Sequence, residues 1–118
     1  MVINRESERR RIIKSFDVFS LSEKHRTLVL EALDSDRWDW YEDCDGCTGV
    51  SEFYWPTRFF PPCLRHDFDC IRGKGDWTAS HRFYGLQLAY GVPVWRAFLR
   101  AAAVTFAWYC WGRRRHST

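Results

Sequence analysis

A histidine and an aspartate stand side by side at positions 66 and 67, and their types and spacing could do chemistry. Histidine accepts and releases a proton near neutral pH, which suits a general base. The carboxylate of Asp67 is a hard oxygen ligand of the kind that calcium prefers, and Asp45 and the main-chain carbonyl of Gly46 could provide others. His66 and Asp67, preceded by an acidic loop that contains glycine, therefore indicate a hydrolase that uses a metal ion.

Cysteines offer a different metal chemistry in the same stretch. The chain has five cysteines, so at least one thiol has no partner within the chain. Zinc could bind through four of them, Cys44, Cys47, Cys63 and Cys70. Six residues separate the last two, which is outside the usual ligand spacing, and the Asp-Gly between the first two suits a calcium loop. Calcium is therefore the preferred prediction, and Cys44 and Cys70 could form a disulfide in addition.

Two short motifs, taken together, resemble a known family. Asp-Gly-Cys at 45–47 is followed, after fifteen residues that include proline and phenylalanine, by Cys-Leu-Arg-His-Asp-Phe at 63–68. This pattern resembles the phospholipase A2 family of bacteria and fungi, whose members have Asp-Gly-Cys, a loop with Pro and Phe, and Cys-x-Arg-His-Asp-Phe. Residues 79–84 and 91–96 extend the resemblance, more faintly, to small phage-encoded relatives that keep His-Asp.

The resemblance implies a role for each matching residue. His66 would be the general base that activates a water molecule. Asp45 and Asp67 would bind calcium through their carboxylates, and Gly46 through its main-chain carbonyl. Calcium in this place would hold the ester carbonyl oxygen and stabilise the oxyanion that develops when water attacks. The activity implied is hydrolysis of the sn-2 ester of glycerophospholipids.

The resemblance also implies a disulfide between Cys47 and Cys63. This bond would tether the calcium loop beside His66. Closing a loop of this length would stabilise the fold by roughly 3 kcal/mol.

Ser80 is the main departure from the family pattern. The family has an aspartate there, three residues before the position of Phe83, and it orients the catalytic histidine. Serine can accept a hydrogen bond from an imidazole but cannot stabilise an imidazolium as a carboxylate does. In serine proteases the loss of such an aspartate costs about 10⁴ in turnover, so weak activity is expected. Asp76, one turn earlier, could reach the same face, although its position also suits a helix N-cap.

Three other residues near the motif are not expected to be catalytic. Cys70 stands where the family usually has a tyrosine, so one hydrogen-bonding group is missing. Asp69 and His81 are predicted to be structural or surface residues.

The elements that would position these residues are helices. A chain of 118 residues with 46% apolar and 18% aromatic content predicts a single packed domain, and the apolar spacing makes it mainly α. Ser20 to Glu23 is a capping-box pattern that opens one of the helices. The predicted order is a helical lead-in at 1–34, a long calcium-type loop at 35–62 tethered by a disulfide or metal, two core helices at 63–90 and an apolar C-terminal helix at 93–112.

The C-terminal helix is a candidate for membrane contact. Its aromatic residues, followed by arginines, suit a helix that lies at the lipid headgroups. The residues expected to do so are Trp95, Trp108, Trp111 and Arg113. The segment is too short and too interrupted by arginine for a transmembrane span. A core helix or a subunit-contact helix is the alternative.

Charge gives a weaker indication of partners. The net charge is +3, and 15 of the 18 basic residues are arginine, whose planar donors suit phosphate. The arginine runs at 9–11 and 113–115 are short and terminal, so nucleic acid is not expected as a partner. The expected partners are a phospholipid membrane surface and other virion proteins.

The N-terminal residues bear on localisation and on an alternative function. They carry both signs of charge, and no apolar stretch of signal-peptide length follows them, so no secretory signal is predicted. The expected location is a virion or the host cytoplasm, with action at a membrane surface. With Ser80 and the apolar C-terminal helix, this favours an alternative, a phage virion structural protein such as a tail or tail-tip component.

Overall fold

In this computed structural model the described residues are 4–44, 55, 57 and 59–112, and they confirm a mainly α fold. They form six α-helices, the last of which continues into a π-helical turn. The helices are α1 (Arg5–Val18), α2 (Glu23–Asp34), α3 (Trp40–Asp43), α4 (Pro61–Ile71), α5 (Trp77–Ala89) and α6 (Val94–Ala107), and the π-helical turn is Trp108–Gly112.

Short polar side chains start several of these helices. Asn4 caps α1 by accepting a hydrogen bond from the main-chain N–H of Ser7. The capping serine of α2 is Ser22 rather than Ser20, which precedes the helix with a φ of 52°. Asp76 accepts hydrogen bonds from two main-chain N–H groups at the start of α5, as expected for an N-cap.

The predicted loop at 35–62 is interrupted by helical structure at both ends. Asp39 caps the short helix α3, whose Trp40 is buried in the core. The helix that carries His66 begins at Pro61, two residues earlier than expected, because proline fits the first turn, where no N–H partner is needed. The middle of the loop lies outside the described residues.

The core is built where α4 packs against α5 and α2, and where α5 packs against α6. Its buried side chains come from every part of the chain and include Ile12, Val29, Leu64, Phe83, Leu86 and Tyr90. Tyr90 also hydrogen-bonds Ser15 through its hydroxyl at 2.5 Å, which ties the end of α5 to α1.

The predicted C-terminal helix is present, but only one side of it is buried. Ala97 and Ala101 are the buried residues of α6, and their small side chains allow close approach to α5. Among the described residues, no helix is both long enough and apolar enough to cross a membrane.

Candidate active site

His66 lies in the middle of α4 and is only 6% exposed. Its ring packs against the ring of Phe83 on α5, with 5.1 Å between centroids and a tilt of 42°. Its Nδ1 lies 3.7 Å from the Sγ of Cys70, one turn along the same helix. Its Nε2 is buried and has no hydrogen-bond partner among the described residues. The imidazole is therefore buried between Phe83 and Cys70, with one nitrogen unsatisfied.

The buried position of His66 keeps its imidazole uncharged at neutral pH. Burial lowers the pKa of His66 to about 4, and the opposing attraction of the Asp69 charge is too weak to restore it. A neutral imidazole has a lone pair with which to accept a proton. Its low pKa also makes it a weak base at pH 7, because general-base catalysis is most efficient when the pKa lies near the working pH.

Cys70 cannot serve as a nucleophile in this setting. Burial, followed by the charges of Asp67 and Asp69, raises the pKa of the Cys70 thiol to about 12. The thiolate is the reactive form, and almost none is present at neutral pH. The contact between Cys70 and His66 is therefore one between a thiol and a neutral imidazole.

Asp67 is half-buried and lies beside His66 in sequence, but adjacent residues on a helix point to different sides. Its charge reaches the site, because it raises the pKa of Cys70. The other expected calcium ligands, Asp45 and Gly46, lie outside the described residues, as does Cys47. The calcium site and the Cys47–Cys63 disulfide therefore stay predictions.

The two alternatives that use other cysteines, a Cys44–Cys70 disulfide and a zinc site, have different outcomes. Cys70 is a free thiol, so the disulfide between Cys44 and Cys70 is not formed. The zinc alternative stays a prediction, because one of its four thiols, that of Cys47, is outside the described residues. Within the described part of the chain, no three histidine, cysteine, aspartate or glutamate side chains converge as metal ligands.

Ser80 faces a different neighbour from the one implied by the family pattern. It is buried on α5, and its hydroxyl accepts a hydrogen bond of 2.5 Å from the hydroxyl of Thr105 on α6. Thr105 also bonds the carbonyl of Ala101 one turn earlier. Among the described contacts, Ser80 makes no hydrogen bond to His66. Asp76, the other candidate for orienting the histidine, is exposed and caps α5.

Trp108 packs in the interior beside Cys70 and does not contact a membrane. It is 5% exposed, so the prediction that it lies at lipid headgroups is wrong. A methyl group on Gly75 would lie 2.6 Å from Cε3 of Trp108 and 2.7 Å from Sγ of Cys70, so both side chains pack onto this glycine. Trp95 is exposed, as membrane contact requires. The side chains of Trp111 and Arg113 do not belong to the part of the chain that the structure describes.

A buried charge cluster joins α4 and α5, and it was not predicted from the sequence. Asp69 is fully buried and bonds three guanidinium groups, at 3.1 Å from Arg65, 2.6 Å from Arg72 and 3.3 Å from Arg82. Arg65 also donates to the carbonyl of Leu28 on α2. The spacing of Arg65, Asp69 and Arg72 by four and three residues was the available signal. Asp69 thus has the predicted structural role, and His81 is on the surface, also as predicted.

Comparison with known proteins adds no relative to this description. No family model matches the chain, and neither a curated protein nor a solved structure matches it.

Proposed function

We propose that this protein is a calcium-dependent hydrolase of glycerophospholipid sn-2 esters, with a phospholipase A2-like helical domain and low turnover. The observation that carries the proposal is the buried, neutral His66 with an unsatisfied Nε2. Buried polar atoms are almost always hydrogen-bonded, so an unpaired nitrogen on a buried histidine, a side chain suited to proton transfer, calls for an explanation. A reacting water or substrate oxygen would satisfy it.

The residues would divide the reaction between them. His66 would take a proton from the attacking water and return it to the leaving alcohol. Asp67, with the carboxylate of Asp45 and the carbonyl of Gly46, would hold calcium. The ion would supply positive charge where the ester oxygen becomes negative. Asp67 suits this role because it is a half-buried oxygen donor whose charge acts on Cys70, the neighbour of His66.

Three observations support low turnover. The low pKa of His66 makes it a weak base at neutral pH. The hydroxyl of Ser80 is bonded to Thr105 and does not orient the imidazole. His66 is only 6% exposed, so a substrate has little access to its imidazole.

The test is release of fatty acid from mixed phospholipid vesicles, in calcium and in a chelator. We expect the wild-type protein to release fatty acid only with calcium. His66→Gln should lower the calcium-dependent rate at least tenfold, because glutamine cannot accept a proton from water. The matched control is His81→Gln, an exposed histidine on α5, which should keep the wild-type rate. Equal release with calcium and chelator, or from His66→Gln and wild type, would refute the proposal.

A second candidate function is a phage virion structural protein that keeps the scaffold for assembly. The enclosure of His66 and the bond between Ser80 and Thr105 favour it, because both strengthen packing at the expense of access. This function predicts vesicle assays at background, together with co-purification of the chain with assembled virions.

A further inference from the structure

The outer face of α6 carries large apolar side chains that are exposed. Trp95, Phe98, Leu99 and Phe106 are each more than half exposed, and Ala102 between them is also exposed. Their spacing of three and four residues places them along one side of the helix. We call these five residues the outer stripe.

The opposite face of α6 accounts for the packing of the helix. Ala97, Ala101, Thr105 and Trp108 follow one another at helical spacing and contact the rest of the molecule. The carbonyl of Ala97 accepts a hydrogen bond from the buried side chain of Gln87 on α5. The fold therefore uses the inner face of α6, and the outer stripe is not part of its core.

Positive charge is concentrated in the same segment. Residues 94–118 contain five arginines and no aspartate or glutamate, which leaves 13 basic against 15 acidic residues in the rest of the chain. Arg96 lies on α6 with its guanidinium 5.9 Å from the centre of the Trp95 ring. The molecule thus combines an apolar stripe and a strongly basic segment with a slightly acidic remainder. A partner surface that matches both features has anionic groups on its outside and apolar groups beneath them.

We propose that the outer stripe docks the protein on a membrane surface rich in anionic phospholipid, with α6 lying parallel to that surface. A phospholipid bilayer offers anionic headgroups to the arginines and acyl chains to the aromatic side chains. A second copy of this chain fits less well, because residues 94–118 contain five arginines and no acidic residue, so two copies of this segment offer each other no opposite charge. At 14 residues, α6 is about 21 Å long, which is shorter than the roughly 30 Å hydrocarbon core.

The inference rests on the proposed function for the lipid class and deepens it by naming the surface that reaches the lipid. The inner face of α6 bonds Ser80 and covers Gly75 beside Cys70. Docking would therefore bring phospholipid to the outer side of the segment that packs beside Cys70, the neighbour of His66.

The test measures binding without turnover. The His66→Gln protein, in a chelator, is sedimented with vesicles of phosphatidylcholine alone or of an equimolar mixture with phosphatidylglycerol. We expect binding to the mixture, weaker binding to phosphatidylcholine, and loss of binding as salt is added. Failure to bind the mixture would overturn docking, whatever the hydrolysis assay shows. Binding with no hydrolysis by the wild-type protein would support docking and refute the proposed function instead.

A matched pair of tryptophans locates the surface. Trp95 on α6 is 65% exposed, and Trp77 in the first turn of α5 is 68% exposed. Trp95→Ser should weaken binding to the mixed vesicles about tenfold, the value of burying one large aromatic side chain. Trp77→Ser should change it less than about twofold if that side chain stays in water. Equal effects of the two substitutions would overturn the assignment of the stripe. So would a wild-type dimer in sedimentation equilibrium that Trp95→Ser dissociates, because the second copy would then be the occupant.

Discussion

The protonation of His66 couples the candidate site to the stability of the fold. An exposed histidine in the unfolded chain has a pKa near 6.5, whereas burial lowers the pKa of His66 to about 4 in the folded protein. Between these values the unfolded state binds the extra proton. The stabilisation is therefore complete above pH about 6.5 and is lost as the pH falls towards about 4.

We expect the free energy of unfolding to fall by roughly 3 kcal/mol more in the wild-type protein than in His66→Asn between pH about 7 and about 4. Asparagine keeps a polar side chain but does not titrate. Urea unfolding at a series of pH values measures the difference. Burial and the Lys24 charge also lower the pKa of His25, but that residue titrates in both proteins and cancels. Parallel pH profiles for the two proteins would contradict the buried, neutral histidine.

The sequence could predict which residue types stand at the site but not which of them meet. His66 and its neighbour Asp67 were identifiable from a short motif. The partner of Ser80 was not, because Thr105 lies 25 positions further along the chain and nothing in the local pattern links the two. The N-cap role of Asp76 was predictable, since capping depends only on the residues that follow.

At the scale of elements, Asp69 joins α4 to α5 through a charge that is shielded from water. Arg65 and Arg72 come from its own helix, and Arg82 comes from α5. Arg65 is almost completely buried and also contacts α2, where the half-exposed Glu31 lies 3.5 Å away, so Asp69 at 3.1 Å is its closer and better shielded counter-charge. Removing one member of a buried ion pair leaves the other charge uncompensated, which costs more than losing an exposed pair.

Asp69→Asn should therefore lower the free energy of unfolding by about 3 kcal/mol or more. The matched control is Asp17→Asn, which removes the exposed partner of Arg26 and should cost less than about 1 kcal/mol. Chemical denaturation of the two variants beside the wild type gives both values. Similar small losses would mean that the arginines find other partners or water when Asp69 is neutral.

Element boundaries were predictable where local chemistry sets them. Asp76 is a local signal of this kind, and α5 begins directly after it, whereas α4 begins at Pro61, two residues before its predicted start at 63. The short helix α3 was missed, because four residues are too few for an apolar period, and it depends on burying Trp40 in the core. The cluster at Asp69 was predictable only in part, because two of its arginines lie on its own helix and the third lies on α5.

At the scale of the whole molecule, the C-terminal segment divides into an inner and an outer side. The sequence predicted an apolar helix here and placed Trp95 and Trp108 together at the lipid headgroups. It therefore could not distinguish Trp108, which packs inward, from Trp95, which is exposed. The distinction depends on the position of Gly75, where the absence of a side chain makes room for the indole ring.

This close approach gives a prediction about the whole fold. In Gly75→Ala the new methyl group would lie 2.6 Å from Trp108 and 2.7 Å from Cys70, so one of them has to move. Overpacking of this kind costs about 1–3 kcal/mol. Gly85→Ala is the matched control, because the nearest side-chain atom, Nε2 of His25, would be 3.8 Å away. There, inside α5, alanine should stabilise the helix by about 0.5–1 kcal/mol.

The two glycine variants also test whether Trp108 covers the Cys70 thiol. In a Cys110→Ser background, displacement of Trp108 by Gly75→Ala should expose the Cys70 thiol and raise its alkylation rate several-fold, whereas Gly85→Ala should not. Mass spectrometry of the modified peptides identifies which cysteine has reacted. A destabilised Gly75→Ala protein with an unchanged Cys70 rate would mean that the strain is taken up elsewhere. A faster rate would show that the C-terminal segment covers Cys70, the neighbour of His66, through this contact.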